Sequence, residues 1–349
     1  MQIKKKIDAL QILRALAAIL VVINHLWGDS NTNFAQRYGL KYMGDFGVDA
    51  FFILSGFIMC YKTREDSRLG VSTAIDFMKR RIERIYPIYL LVLLPFIVIY
   101  IVKTHPANLY NIFGNIFLLP TFTSNPNYLM MIGPSWTLVY EMFFYAIYAL
   151  MMMLVSTKRQ LIFFTTGLLV FMVTLDNIFA LRGPPLGLDN FRYMIGDPLM
   201  INFALGCVYA QVFTKLPKLS LSIPLCATLI LAIFLMGMWL FRHGTPRLLS
   251  FGFTSLFIVF LFSIMRESTG RIYQSLIFIG NASFSIYITH FFFAYSKHYI
   301  FAHYSINKDL FGVLYTLIAV AFGCLFYLLI ETRVITFFAK LHLARRVLR

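Results

Sequence analysis

The chain has 349 residues, of which 59% are hydrophobic and only 13% charged, and its mean hydropathy is +0.74. Soluble domains carry about a quarter charged residues, so this composition excludes a soluble globular protein and indicates an all-α polytopic membrane protein. The formal charge of +16 is not a nucleic-acid signal, because the basic residues sit in short loops between apolar runs and not in a groove or tail.

The first apolar run, LQILRALAAILVVINHLW (10–27), holds Arg14 and His25. Eleven steps of 100° make three turns plus about 20°, so both side chains lie on one helical stripe, about 16 Å apart along the axis. Ionisable groups at membrane depth are costly and usually face a bundle interior or a wet cavity. The plain alternative is a snorkelling Arg14 and an interfacial His25. Lys4, Lys5 and Lys6 ahead of this run resemble a signal sequence, but NHLWGDSN follows without a small-residue cleavage site, which predicts an uncleaved first helix.

The second run opens with GDFGVDAFFILSG (44–56), where Asp45 and Asp49 stand one turn apart. The short preceding loop brings them toward His25; as helix N-terminal carboxylates they also suit the helix dipole. Gly47, Ser55 and Gly56 permit close helix approach. KRRIERIYP (79–87) follows, with Arg80, Arg81 and Arg84 just ahead of Pro87. Three guanidiniums in five residues suit a phosphate, which they grip bidentately, while positive-inside charge accounts for part of the cluster. The segment 111–122 (NIFGNIFLLPTF), interrupted by Gly and Pro, is expected to be re-entrant or interfacial. GPSWTLVYEMFFY (133–145) then places Glu141 about one and a half turns into an apolar helix, in the expected outer half of the membrane. A lone carboxylate there has no solvated face, and its natural partner is His25. In GNASFSIYITH (280–290), Ser283, Tyr287 and His290 share a face, an arrangement that helix–helix hydrogen bonding explains at least as well as chemistry.

Ten spans are predicted: 10–27, 46–61, 85–103, 136–155, 161–180, 199–214, 223–241, 248–265, 283–302 and 310–330. With these, 21 Lys and Arg fall on the side of the two termini and 9 on the other, which puts both termini in the cytoplasm. An eleventh span at 111–122 would reverse the later loops. The loop stretches SNPNYLMMIGPS and RGPPLGLDN on the outer side read as cover over a cavity. Cys60, Cys207, Cys226 and Cys324 lie in apolar runs without paired spacing and imply neither a disulfide nor a metal. His105, His243, His298, His303 and His342 lie near span ends or in loops and carry no assignment. Zinc-type, P-loop, dinucleotide and nucleophile-elbow motifs are absent from the sequence. One integral membrane domain over 1–349, without an appended soluble domain, is the expected organisation.

These motifs together resemble the membrane-bound acyltransferase 3 family of bacterial O-acyltransferases, which includes O-antigen, exopolysaccharide and Nod-factor acetylases. The likeness covers essentially the whole chain through four ordered motifs: LQILRALAAILVVINH, FGVDAFFILSGF, RRIERIYP and SWTLVYEMFFY. Many members have two consecutive acidic residues in the last motif, where this chain has Glu141 and Met142. The resemblance implies transfer of an acyl group, usually acetyl, from cytoplasmic acetyl-CoA to a hydroxyl of an envelope glycan or lipid-linked saccharide at the bacterial inner membrane, with no metal and no nucleic acid involved. It implies His25 as general base or transient acyl carrier, Glu141 and Asp45 as its supports, and Arg14, Arg80, Arg81 and Arg84 as donor-binding residues. Ser135, Trp136 and Asp49 become candidates for substrate contact. A proton-coupled transporter or flippase with a His25/Glu141 relay is the competing expectation, against which stands the lack of internal repeats. The acceptor sugar and the oligomeric state are not specified by the sequence.

Overall fold

The computed structural model describes residues 7–347 except 31, 64–67, 105, 123–127, 129, 182–189 and 217–218, and no side chains beyond 341. The outer-side loop stretches singled out above therefore lie partly outside the described residues, as does the side chain of His342. The protein is an all-α polytopic membrane protein. In chain order the helices are α1 (Ala9–Leu26), α2 (Asn33–Tyr38), α3 (Leu40–Lys62), α4 (Val71–Lys103), α5 (Leu109–Phe117), α6 (Trp136–Leu154), α7 (Lys158–Ile178), α8 (Phe191–Ile195), α9 (Leu199–Phe213), α10 (Ile223–Arg242), α11 (Phe253–Ile264), α12 (Arg271–Asn281), α13 (Ser283–His303), α14 (Lys308–Phe326) and α15 (Thr332–Val347). Among the described residues, β-structure is limited to two isolated bridges, Thr121 with Asn190 and Leu221 with Met265.

Among the described residues, eight helical stretches are long and apolar enough to cross a bilayer, and α12 with α13, bent by 68°, counts as a ninth where the bent pair is taken as one span. Leu248–Ile264, where a further span is predicted, is a shorter apolar helix that begins with a π turn. The segment predicted to be re-entrant or interfacial forms α5, whose nine residues are about 13 Å long and too short to cross. α4 is longer than expected. Its 33 residues begin at Val71, because the basic stretch before the apolar run is made of good helix formers and continues the helix about 20 Å outward.

α3 is the central post of the bundle. It packs against α9 backbone to backbone, and glycines on each helix make that approach possible. A Cβ on Gly56 would lie 2.2 Å from the Phe203 carbonyl oxygen, and one on Gly206 would lie 2.1 Å from that of Ile53. Since both obstacles are main chain, Gly56→Ala is expected to force the helices apart and lower the thermal midpoint in detergent, whereas Gly167→Ala, in open space on α7, leaves it unchanged. α1 lies against α3 at a second close approach, Gly47 facing the Ala17 carbonyl oxygen at 2.6 Å from an added Cβ. This pairing fixes Arg14 and His25 beside the α3 motif. All four cysteines are free thiols.

Candidate active site

A narrow cavity of about 120 Å³ opens among α1, α3, α4, α6 and α13. Arg14 from α1, Arg81 and Arg84 from α4, Ser55 from α3, Glu141 from α6 and Tyr287 from α13 line it. The Glu141 carboxylate accepts hydrogen bonds from Ser55 Oγ at 3.0 Å and from the Tyr145 hydroxyl one turn along its own helix. Arg14 interacts electrostatically with Glu141 and with Glu331, and is opposed by Arg84. Glu331, buried at the junction before α15, accepts from Ser285 Oγ at 2.5 Å. Arg81 lies over the rings of Phe77 and Tyr145, 5.2 Å from each, and its buried Nε has no acceptor. A desolvated guanidinium donor left without an acceptor costs about 1–3 kcal/mol or more, so an anion brought into this cavity would gain a ready partner. Arg80 is exposed and does not line the cavity.

His25 occupies the last turn of α1, at the other end of the stripe from Arg14. Its Nδ1 lies 3.1 Å from Nε2 of His290, with ring centroids 5.1 Å apart. The carbonyl of His25 accepts from Lys297 Nζ at 2.5 Å, which satisfies an orphan acceptor at the helix end with a cation where the dipole favours one. Lys297 is 2% exposed, and Asp29 and Asp45 lie within electrostatic range of the imidazole. The ring of His290 meets that of Tyr287 at 5.9 Å. The Tyr287 hydroxyl lies 2.7 Å from Thr137 Oγ1 and donates to the Pro134 carbonyl at 2.9 Å. Tyr287 thus belongs both to the arginine cavity and to the histidine pair, and it is the joint between them.

The expected pairing of Glu141 with His25 is replaced by another. Among the described residues Glu141 bonds Ser55 and Tyr145, and it shares its cavity with Arg14, Arg81 and Arg84. The reason is where α6 begins. The expectation measured depth from the helix start as though that were the membrane surface, but Trp136 packs against Phe52, which lies about 18 Å along α3 from Leu40. The turn before α6 is held inside the bundle, with Met131 N–H donating to Asn115 Oδ1 at 2.8 Å and Pro134 bonded by Tyr287. Ser135 is buried there and donates to the Ile132 carbonyl at 2.6 Å, while Trp136 wedges between Phe52 and Tyr140. Both residues shape the turn.

Asp45 and Asp49 meet a residue that the sequence did not single out. Arg247, at the start of the π turn before α11, lies 3.0 Å from Asp45 Oδ1 and donates through Nε to Asp49 Oδ2 at 2.7 Å. Asn202 donates to the other oxygen of Asp49 at 2.6 Å. Asp49 is fully buried and committed to these partners. Lys297 and Glu331 are likewise not singled out by the sequence, although Lys297 is a lone charge in an apolar run, the same signal that marks Glu141. His290 was noticed, but its partner was not legible.

A family model described as an acyltransferase domain matches residues 7–331. The chain is similar to the exopolysaccharide production protein ExoZ of Rhizobium meliloti (strain 1021), 24% identical over 265 residues that cover 73% of this chain and 78% of that protein. It is also similar to protein 2 in the picA locus of Rhizobium radiobacter, 27% identical over 179 residues that cover 46% of this chain and 90% of that protein. No solved structure matches the chain.

Proposed function

The chain belongs to the acyltransferase 3 family, and from that membership we propose that it transfers an acyl group, acetyl first among the possibilities, from acyl-CoA to a hydroxyl of an exported glycan. The similarity to an exopolysaccharide production protein supports a polysaccharide or its lipid-linked precursor as acceptor. The excess of Lys and Arg on the side of the termini supports an inner-membrane orientation with the arginine cavity facing the cytoplasm.

The observation that carries the reading is the convergence of three arginines from two helices on a cavity with an unpartnered buried guanidinium nitrogen, joined by Tyr287 to the histidine pair. Arg14, Arg81 and Arg84 fit the phosphates of a coenzyme A. Bound there, acyl-CoA would supply its acyl group as a thioester. Glu141 bonds Ser55 and attracts Arg14 through its charge, which makes it a positioning residue in this reading and not the partner of His25. His25, about 16 Å from Arg14 along α1, takes the proton from the acceptor hydroxyl as its oxygen bonds to the acyl carbon. It returns that proton to the sulfur as the carbon–sulfur bond breaks, so that ester and free thiol are the products. Asp45, bound to Arg247, acts on His25 only through its charge.

Membranes containing the protein, given radiolabelled acetyl-CoA and the envelope glycan fraction, are expected to yield labelled glycan. Neither donor binding nor label transfer in that assay would overturn the assignment. Within it, Arg84→Ala is expected to raise the donor KM about 10- to 100-fold, the loss of a charge-assisted hydrogen bond of about 1.5–3 kcal/mol. Arg80→Ala, outside the cavity, is expected to leave the KM unchanged. Equal effects of the two would reduce the cluster to a topology signal.

A further inference from the structure

We propose that His290 is a positioning residue that fixes the tautomer of His25, so that His25 presents a bare Nε2 to the acceptor hydroxyl. This rests on the proposed role of His25 and concerns a residue that the acyl-transfer reading does not otherwise use.

The inference follows from which atoms can donate. Nδ1 of His290 lies 3.3 Å from the carbonyl oxygen of Ile286, one turn back on α13. A carbonyl oxygen only accepts, so the proton of a neutral His290 sits on Nδ1. Nε2 of His290 is then a lone pair. It faces Nδ1 of His25 at 3.1 Å, and that contact is a hydrogen bond only if His25 carries its own proton on Nδ1. Nε2 of His25 is therefore unprotonated, the form a general base needs. The chain Ile286 carbonyl, His290, His25 performs what a carboxylate does behind a catalytic imidazole: it orients the ring, selects the tautomer and accepts from the imidazolium that forms.

Burial decides which histidine reacts. His290 is fully buried, while His25 is only partly so, and a substrate can reach His25 alone of the two. The charges that face the pair are Lys297, bonded to the His25 carbonyl, with Asp29 and Asp45 at longer range. Asp29 and Asp45 offer the imidazole no hydrogen bond among the described residues; the Val21 carbonyl, one turn back on α1, is its backbone acceptor, and His290 is the side chain that faces Nδ1.

Two amide variants separate orientation from mere packing. In His290→Gln the side-chain oxygen reaches the place of Nε2 and can accept from His25. In His290→Asn the amide reaches only the place of Nδ1, keeps its contact with Ile286 and leaves His25 no acceptor but the Val21 carbonyl of its own helix. Label transfer from acetyl-CoA is expected within about 10-fold of wild type for His290→Gln. For His290→Asn it is expected to fall by about 10²- to 10⁴-fold, the range over which a wrong tautomer acts, at unchanged donor KM and with the acid limb of the kcat/KM pH profile displaced. Equal activity of the two variants, or equal losses with an unmoved pH profile, overturns the proposal while an inactive His25→Ala keeps the acyl-transfer reading intact. An active His25→Ala removes His25 from the chemistry and this proposal with it, while the label transfer itself keeps the acyl-transfer reading.

Discussion

His25→Ala is expected to insert and fold like the wild type and to lower kcat/KM for acyl transfer by about 10²- to 10⁴-fold, the usual contribution of a general base. The residue ends α1, it is not packed among the fully buried side chains, and the carbonyl that Lys297 caps belongs to the main chain and survives the substitution. Removal of the imidazole therefore takes away one acceptor of protons and little packing. The donor KM should not change, because Arg14, Arg81 and Arg84 line a cavity from which His25 is absent. Membrane-fraction abundance and labelled glycan, measured on the same preparation, check both halves. Retained transfer would remove His25 from the chemistry, and a raised donor KM would place it in the binding site instead.

Arg247→Leu is expected to be among the most destabilising single substitutions, by about 3–5 kcal/mol, the cost of leaving one member of a buried ion pair uncompensated. Asp49 is 0% exposed, and without Arg247 only the Asn202 amide would remain to it. The double variant Arg247→Leu/Asp49→Leu is expected to be more stable than Arg247→Leu alone, since two apolar groups replace a charge stranded in an apolar interior. Thermal unfolding in detergent of the two single variants and the double gives the coupling. If the double proves no better than Arg247→Leu, the pair is not what holds α3, α9 and the start of α11 together.

Much of this architecture was legible in the sequence, because hydropathy and helical length are properties of contiguous residues. Each of the ten predicted spans falls on a helix, and the stripe logic put Arg14 and His25 at opposite ends of one face. Depth was legible only where a helix runs from one surface to the other. Glu141 failed because α6 starts inside the bundle, which depends on contacts of Trp136 with Phe52 and of Met131 with Asn115. Partners between distant segments failed for the same reason. Nothing local to Asp49 names Arg247, 198 residues away, and nothing local to His25 names His290, 265 residues away. What the sequence marked correctly was cost: Asp49 and Glu141, isolated charges in apolar runs, both have specific partners.

The internal start of α6 has a consequence for the bilayer itself. Backbone that is not helical survives at membrane depth only inside protein or along a wet recess, because lipid tails offer nothing to its amide groups. The turn from Met130 to Ser135 meets that condition through Asn115 and Tyr287. Where it does so, polar main chain lies among side chains and away from lipid.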